Sequence, residues 1–235
     1  MRADIGSQCV ECARAGRPAA RVRARDWSAR QPVLVTYTLM ALNFGVFGWM
    51  VVRDPENLSP GRQLTQEQID LGLNEQLIAV TDEWYRLVTS AFLHFGIIHL
   101  AFNMILLFQL GHLLEPALGR VRFLLLYIAS MLGGSAGVLV INANELGIHG
   151  GASGAVFGLF GAAAVMMFQR GINPLRTGIG AVLLINILIT FTVPGISVGG
   201  HIGGLVAGTA AGSLMAAPPH KRRPLWITYA APIGV

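Results

Sequence analysis

The stretch HGGASGAVFGLFGAAAVMMF occupies residues 149–168 and contains no Asp, Glu, Lys or Arg. A helix that crosses a membrane needs about 20 mostly apolar residues, and glycine is well tolerated in such helices. We therefore predict a membrane-spanning helix over Gly151–Phe168. The segment opens with two polar residues, Ser153 inside the predicted span and His149 just before it.

Five other stretches have the same apolar character. They are Val33–Val52, Leu93–Leu114, Val121–Ile141, Gly178–Pro194 and Val198–Ala217. Over all 235 residues, 53% are hydrophobic and only 12% are charged, against roughly 25% charged in a typical soluble domain. This composition excludes a disordered chain, a disulfide scaffold and an ordinary soluble enzyme. It predicts an all-α polytopic membrane protein with six transmembrane helices.

The positive charges predict how these helices are oriented. Of the 17 Lys and Arg residues, all but Arg53, Arg62 and Arg86 fall on one side of a six-span arrangement. Because Lys and Arg accumulate in cytoplasmic loops, both termini are expected in the cytoplasm. The charges form short clusters beside the membrane without interleaved aromatic residues, which argues against a nucleic-acid partner. The predicted parts are a basic N-terminal arm (1–32), a six-span domain (33–217) with an external loop (53–92), and a cytoplasmic tail (218–235).

The external loop is expected to be partly helical, because its segment LTQEQIDLGLNEQLI is mildly amphipathic. Trp84, Tyr85 and Arg86 follow it, just before the second span. Aromatic residues at this position fit the interfacial belt of a membrane protein. A loop of this length between spans also often has a function of its own.

Polar side chains inside the spans are the candidates for function, because they are costly in lipid. His99 and Asn103 are four residues apart and share one helix face, while Ser153 and His201 begin the fourth and sixth spans. The second, fourth and sixth spans run in the same direction, and the four residues lie near the starts of these spans. All four are therefore expected at a similar depth in the outer part of the membrane. A serine, a histidine and two further hydrogen-bond donors at one level suit a hydrolytic site. The alternative is that they serve only helix packing.

Glycines repeat at every fourth residue of the sixth span, and the fourth span holds a GxxxG. The positions are Gly200, Gly204, Gly208 and Gly212, with Gly154 and Gly158 in the fourth span. Such stripes let helix backbones approach closely. Close approach of these two spans would bring His201 within hydrogen-bond reach of Ser153.

The chemistry of such a site can be reasoned from the residues. A serine hydroxyl is a poor nucleophile until a neutral histidine accepts its proton. No acidic residue is near His201 in sequence, so packing must orient its ring, and Phe157, one turn after Ser153, is placed to do so. The N–H groups at the start of a helix favour a developing oxyanion. Water must reach the site through a polar cavity, and the fifth span, with Pro194 near its outer end, is the expected mobile wall.

These motifs resemble those of the rhomboid intramembrane serine proteases. GASG at 151–154 resembles the family's GxSG, and HLAFN at 99–103 resembles its HxxxN on the second span. GHIGGLVAG at 200–208 resembles its AHxxGxxxG on the sixth, with Gly200 in place of Ala. The segment around Trp84 and Arg86 resembles the family's Trp/Arg-containing start of span two, and Glu115 matches a family glutamate at that span's inner end.

The resemblance implies a Ser-His dyad that cleaves a peptide bond of a transmembrane protein substrate within the lipid bilayer. Ser153 would be the nucleophile and His201 the general base. His99, Asn103 and the Ser153 backbone N–H would donate to the oxyanion, and Gly151 would allow the tight turn. Phe157 takes a position where the family more often has Tyr. Gly154 and Gly204 are expected to support the site by packing.

Cys9 and Cys12 form a CxxC in the N-terminal arm. One such pair supplies two of the four ligands of a structural zinc, and the segment resembles the end of a zinc-ribbon-like region that precedes actinobacterial rhomboid cores. A zinc here would need ligands from a partner, and a cytoplasmic setting argues against a disulfide. The activity itself requires no cofactor.

Two other functions are compatible with parts of the sequence. One is a catalytically inactive rhomboid-like protein that binds membrane clients, which the presence of both Ser153 and His201 disfavours. The other is a transporter with a histidine proton relay, which would distribute ionisable residues through the bilayer depth. The expected location is a bacterial plasma membrane, with the active site on the extracytoplasmic side. The sequence assigns neither a particular substrate nor an oligomeric state.

Overall fold

The computed structural model describes residues 32–59, 63–142, 147–215 and 229. Within these ranges the regular structure is helical, apart from one isolated antiparallel bridge. The α-helices are α1 Leu34–Arg53, α2 Gln66–Leu71, α3 Glu75–Thr81, α4 Arg86–Thr89, α5 Ile97–Leu118, α6 Arg120–Ile141, α7 Ser153–Phe168, α8 Gly178–Thr192 and α9 Val198–Met215. Short 3₁₀ turns cover Pro55–Leu58, Ser90–Phe92 and Pro174–Arg176.

The six longer helices confirm the predicted helical membrane fold. By length and composition α1, α5 and α6 are able to cross a membrane, and α7 and α8 are shorter apolar helices. The second span differs at its start, because α5 begins at Ile97 rather than at Leu93. Gly96 has a φ of 95°, which a helix cannot continue through. The predicted arm, with Cys9 and Cys12, lies outside the described residues except for Pro32.

The glycine stripe is where α9 meets α7. A methyl group added to Gly204 would collide with the backbone of Gly154, and one added to Gly208 would collide with that of Gly158. Only glycine allows the two backbones to approach this closely, so the predicted packing role of the stripe is confirmed. On its other side α9 packs against α6. The apolar core beside these helices includes Leu100, Leu107, Phe123, Leu126, Tyr127, Leu159 and Phe160.

Glu115 ties the end of α5 to the start of α1. Its carboxylate accepts hydrogen bonds from Val35 N–H (3.0 Å), Thr36 N–H (2.8 Å) and Thr36 Oγ1 (2.7 Å). The first N–H groups of a helix lack partners within the helix, and α1 has no side-chain cap of its own. The buried carboxylate therefore acts as the cap of α1.

Residues 53–92, which the sequence predicts to be external and which we call the external segment, are held in place by Arg86, whose side chain is buried. Its guanidinium donates to the carbonyls of Ile69 and Gly72 and forms an ion pair with Glu83. The hydrogen bond from Arg86 lowers the pKa of Glu83 below its ordinary value of 4.5. Trp84, by contrast, is exposed, as an interfacial residue would be.

The same segment contacts the loop that leads to Ser153. Leu73 and His149 form the isolated bridge, with N–H to carbonyl distances of 2.8 and 2.9 Å. The amide of Asn74 donates to the carbonyl of Gly147 at 2.9 Å. These hydrogen bonds from Leu73 and Asn74 hold the loop in place before α7 begins.

Candidate active site

Ser153 is the first residue of α7 and is half-buried. The turn before it depends on Gly151, whose φ of 130° is a conformation that other residues rarely adopt. The Gly151 N–H donates to the Ser90 carbonyl at 2.8 Å, which holds the turn. The helix start has no side-chain cap. Its first N–H groups are therefore available to an anion beside Ser153.

His201 lies in the first turn of α9 and is 8% exposed. Its ring stacks on Phe157, with the centroids 4.0 Å apart and the planes inclined by 15°. Phe157 is one turn beyond Ser153 on the same face of α7. The stack therefore brings the imidazole to the helix face that carries the serine. The phenyl ring of Phe157 makes this stacking contact without the hydroxyl that a tyrosine would add.

A second contact orients the same ring, and the sequence reasoning missed it. Thr190 Oγ1 and His201 Nδ1 are joined by a hydrogen bond of 2.7 Å. The sequence predicts that packing alone orients the imidazole; in the structure a hydroxyl from α8 also bonds its edge. The sequence gives only a weak signal for this contact, because Thr190 is one of three polar residues in the predicted span Gly178–Pro194, together with Asn186 and Thr192.

His99 approaches the serine from the other side. Its Nδ1 accepts a hydrogen bond from the Phe95 N–H at 3.3 Å, and the two rings are parallel to within 5°. Because Nδ1 is an acceptor, the neutral ring carries its proton on Nε2. A methyl group placed on Gly151 would lie 2.9 Å from His99 Nε2 and 3.6 Å from Ser153 Oγ. The protonated edge of His99 and the serine hydroxyl thus flank the same glycine.

Asn103 is buried one turn below His99. Its Nδ2 donates to the His99 carbonyl at 3.1 Å. One of its two N–H groups is therefore engaged with its own helix, which leaves the second for the predicted oxyanion role.

A small cavity of about 40 Å³ opens beside Ser153. A space above roughly 10–15 Å³ can hold a water molecule when polar groups line it. The polar residues in its wall are Ser90, Ser135, His149, Ser153 and Ser197. The cavity therefore has both the size and the lining for water next to the serine.

The structure brings most of the predicted site residues together and leaves three apart. His201 stacks on Phe157 and Gly204 packs on Gly154 where α7 meets α9, while His99 and Ser153 flank Gly151 and Asn103 bonds the carbonyl of His99. Within the described residues Ser153 and His201 lie on these adjoining helices but are not joined by a hydrogen bond. Glu115 is at the opposite end of α5, while Trp84 and Arg86 belong to the external segment. Within the described residues no group of three or more His, Cys, Asp or Glu could hold a metal ion.

The family model for the rhomboid domain matches residues 81–218. The chain belongs to the rhomboid family. It is 34% identical to rhomboid protease GluP of Bacillus subtilis over 78% of this chain and 35% of that protein. It is 34% identical to RHOMBOID-like protein 4 of Arabidopsis thaliana over 75% of this chain and 45% of that protein. Rhomboid protease AarA of Providencia stuartii is 29% identical over 60% of this chain and 53% of its own length.

The chain thus spans about half the length, or less, of these relatives. The matched region contains Ser153, His201 and both helices that carry them. Membership of the family and the apolar helices together make this a multi-pass membrane protein.

Proposed function

We propose that this rhomboid-family chain is a serine endopeptidase that hydrolyses peptide bonds in or near the transmembrane segments of other membrane proteins. One observation carries the proposal: His201 stacks on Phe157, one turn beyond a half-buried Ser153 at an uncapped helix start. Two of the similar proteins are themselves named rhomboid proteases.

In the first half of the reaction Ser153 Oγ attacks the scissile carbonyl carbon, and its proton passes to His201. The carbonyl oxygen becomes an oxyanion beside the Ser153 N–H and the protonated Nε2 edge of His99, with Asn103 as a further donor. Such preorganised donors typically contribute about 10²–10³ in kcat each. As the C–N bond breaks, His201 returns the proton to the departing amine, and the substrate's acyl group stays on Ser153 as an ester.

In the second half a water molecule attacks the ester. His201 accepts a proton from the water, and the same donors hold the second oxyanion. As the ester C–O bond breaks, His201 returns that proton to Ser153 Oγ, which releases the new carboxyl terminus and regenerates both residues. The cavity lined by Ser90, Ser135 and Ser197 supports this step, because it provides room for water beside the ester. The chemistry uses no metal or cofactor.

The distribution of Lys and Arg supports a definite placement in the membrane. We infer that both termini face the cytoplasm of a bacterial cell and that Ser153 opens toward the extracytoplasmic side of the plasma membrane. Reaction of single cysteines at the exposed positions of Glu56 and Asn173, with Cys9 and Cys12 replaced by serine, tests this with a membrane-impermeant thiol reagent in intact cells. Labelling at position 56 and protection at position 173 are expected; the reverse pattern would contradict the orientation.

Cleavage of a reporter with one transmembrane helix, in reconstituted vesicles, tests the activity. Ser153→Ala and His201→Ala are each expected to abolish cleavage while the protein still inserts. Ser213→Ala is the matched control, because the Ser213 hydroxyl donates to the carbonyl of Ala210 in its own helix, and it should cleave at the wild-type rate. Most activity remaining in Ser153→Ala would refute the mechanism. Wild-type protein that binds the reporter without cutting it would favour the inactive client-binding alternative.

A further inference from the structure

We propose that Thr190 is a positioning residue that fixes the tautomer of His201 in which the ring can act as a base. The inference rests on the proposed function, since it concerns the histidine of the proposed Ser153–His201 dyad. The group that orients the histidine is then the hydroxyl of a residue on α8.

The argument begins with the single proton of the Thr190 hydroxyl. Thr190 Oγ1 lies 2.7 Å from the backbone carbonyl oxygen of Asn186 and 2.7 Å from His201 Nδ1. A carbonyl oxygen can only accept a hydrogen bond, so the hydroxyl proton is donated to Asn186. The oxygen of Thr190 is then left as an acceptor, and the hydrogen bond to His201 requires a proton on Nδ1.

This assignment determines the other ring nitrogen. A neutral imidazole carries one proton, so with Nδ1 protonated the lone pair is on Nε2. A lone pair on Nε2 is what the proposed reaction requires, because that nitrogen must accept the proton of Ser153. With the opposite tautomer Nε2 would already be protonated and the ring could not act as a base toward Ser153. The Asn186–Thr190–His201 chain thus selects the reactive form.

The pattern of buried residues along α8 supports a specific role for Thr190. Among the residues of α8, only Gly180 and Thr190 are buried. Gly180 packs beside Leu175 at the start of the helix, so Thr190 is the buried contact of its other half. Thr190 is 4% exposed, and the hydrogen bond to His201 is therefore shielded from competing water.

The ring is consequently fixed in two directions. Phe157 packs on its face and prevents it from tilting, while Thr190 bonds its Nδ1 edge and prevents it from flipping. Packing alone would hold the plane of the ring but would not distinguish Nδ1 from Nε2. Thr190 supplies that distinction in place of a carboxylate.

The test compares Thr190→Val, which keeps the shape and removes the hydroxyl, with Thr190→Ser, which restores it. Thr192→Val is the matched control, because the Thr192 hydroxyl donates to the Leu188 carbonyl on the exposed side of the same helix. For reporter cleavage we expect Thr190→Val to lower kcat about 10-fold with KM changed less than about twofold, the size of one lost orienting hydrogen bond. Thr190→Ser and Thr192→Val should stay within about threefold of wild type.

The tautomer is measured separately by ¹⁵N NMR of histidine-labelled full-length protein, with His201 assigned by comparison with His201→Gln. Wild type and Thr190→Ser should show a protonated Nδ1 and an unprotonated Nε2, also in the Ser153→Ala background. Thr190→Val should shift the ring toward a protonated Nε2. A structural effect of the substitution alone would leave this signature unchanged.

The outcomes separate the two proposals. Wild-type protein that cleaves the reporter but carries its His201 proton on Nε2 overturns the role of Thr190 and leaves the proposed function intact. So does Thr190→Val with wild-type kcat. Wild-type protein that neither cleaves nor reacts with a fluorophosphonate overturns the proposed function, and the positioning role with it.

Discussion

Replacing Gly151 with alanine would separate the geometry of the oxyanion donors from the general stability of the protein. The added methyl group would lie 2.8 Å from His99 Cε1 and 2.9 Å from His99 Nε2. The residue would also have to keep a φ of 130°, which alanine rarely adopts. The substitution therefore has two effects, backbone strain at the turn and displacement of the His99 ring.

The size of both effects follows from the structure. Ordinary contact to a methyl carbon begins at 3.4 Å, so the His99 edge must retreat by about 0.5 Å, and a misplacement of about 1 Å at a reacting centre can cost about 10²-fold. Removing one oxyanion donor altogether costs about 10²–10³ in kcat. We expect Gly151→Ala to lower kcat roughly 10- to 100-fold. The strained backbone should lower the free energy of unfolding by about 1–3 kcal/mol.

The assay is steady-state cleavage of the transmembrane reporter, combined with thermal unfolding of the same preparation. Gly171→Ala is the control for strain, because Gly171 has a φ of 76° with no atom within 4 Å of an added methyl group. It should lose stability by about 1–2 kcal/mol and keep its kcat. Gly147→Ala controls for a change in the same loop, since its nearest contact is 3.8 Å away. It should alter neither quantity.

A double substitution shows whether the loss passes through His99. If it does, Gly151→Ala should lower kcat much less in a His99→Ala background than in wild type, because residues that act through one interaction are not additive. Equal losses in both backgrounds would refute the reasoning. So would Gly151→Ala protein with full kcat and reduced stability only.

Two further predictions concern the parts that surround the site. Glu115→Ala removes the acceptor of three hydrogen bonds at the start of α1 and should lower the free energy of unfolding by about 2–4 kcal/mol. Glu115→Gln should have a stability between those of wild type and Glu115→Ala. Unfolding in denaturing detergent measures the stability, and an unchanged unfolding midpoint in Glu115→Ala would contradict the prediction. Arg86 lowers the pKa of Glu83, so this ion pair stabilises the external segment fully above pH 4.5 and loses its effect as the pH falls through the lowered pKa. The protection of the amides of residues 69–72 against hydrogen exchange, taken relative to the intrinsic exchange rate at each pH, should fall in that acidic range in wild type and not in Glu83→Gln. Identical pH dependence of this protection in the two proteins would exclude the mechanism.

The fold was largely predictable because the membrane restricts what a long apolar stretch can form. All six predicted spans contain a helix, and the Gly204 and Gly208 contacts with α7 follow from their spacing. The start of α5 was not predictable, since the φ of Gly96 depends on how the chain packs between the external segment and the bundle. Pairing of Leu73 with His149 joins distant residues, and no local pattern indicates it.

The candidate site was predictable as far as its residue types carry the chemistry. Ser153, His201 and His99 stand out because polar side chains in spans are rare. Thr190 does not, because a threonine in a membrane helix commonly bonds the carbonyl four residues earlier, as it does here with Asn186. Its second contact depends on how α8 lies against α9. That placement comes from packing between helices, which the sequence of either helix alone does not contain.

The central claim is that Ser153 is a nucleophile made reactive by His201. Its most direct test is to treat the reconstituted protein with a fluorophosphonate and to locate the adduct by peptide mass spectrometry. Stoichiometric phosphonylation of Ser153 in wild type is expected, with the rate strongly reduced in His201→Ala and unchanged in Ser213→Ala. An adduct at another residue, or an unmodified Ser153 in protein that cleaves its reporter, would contradict the claim.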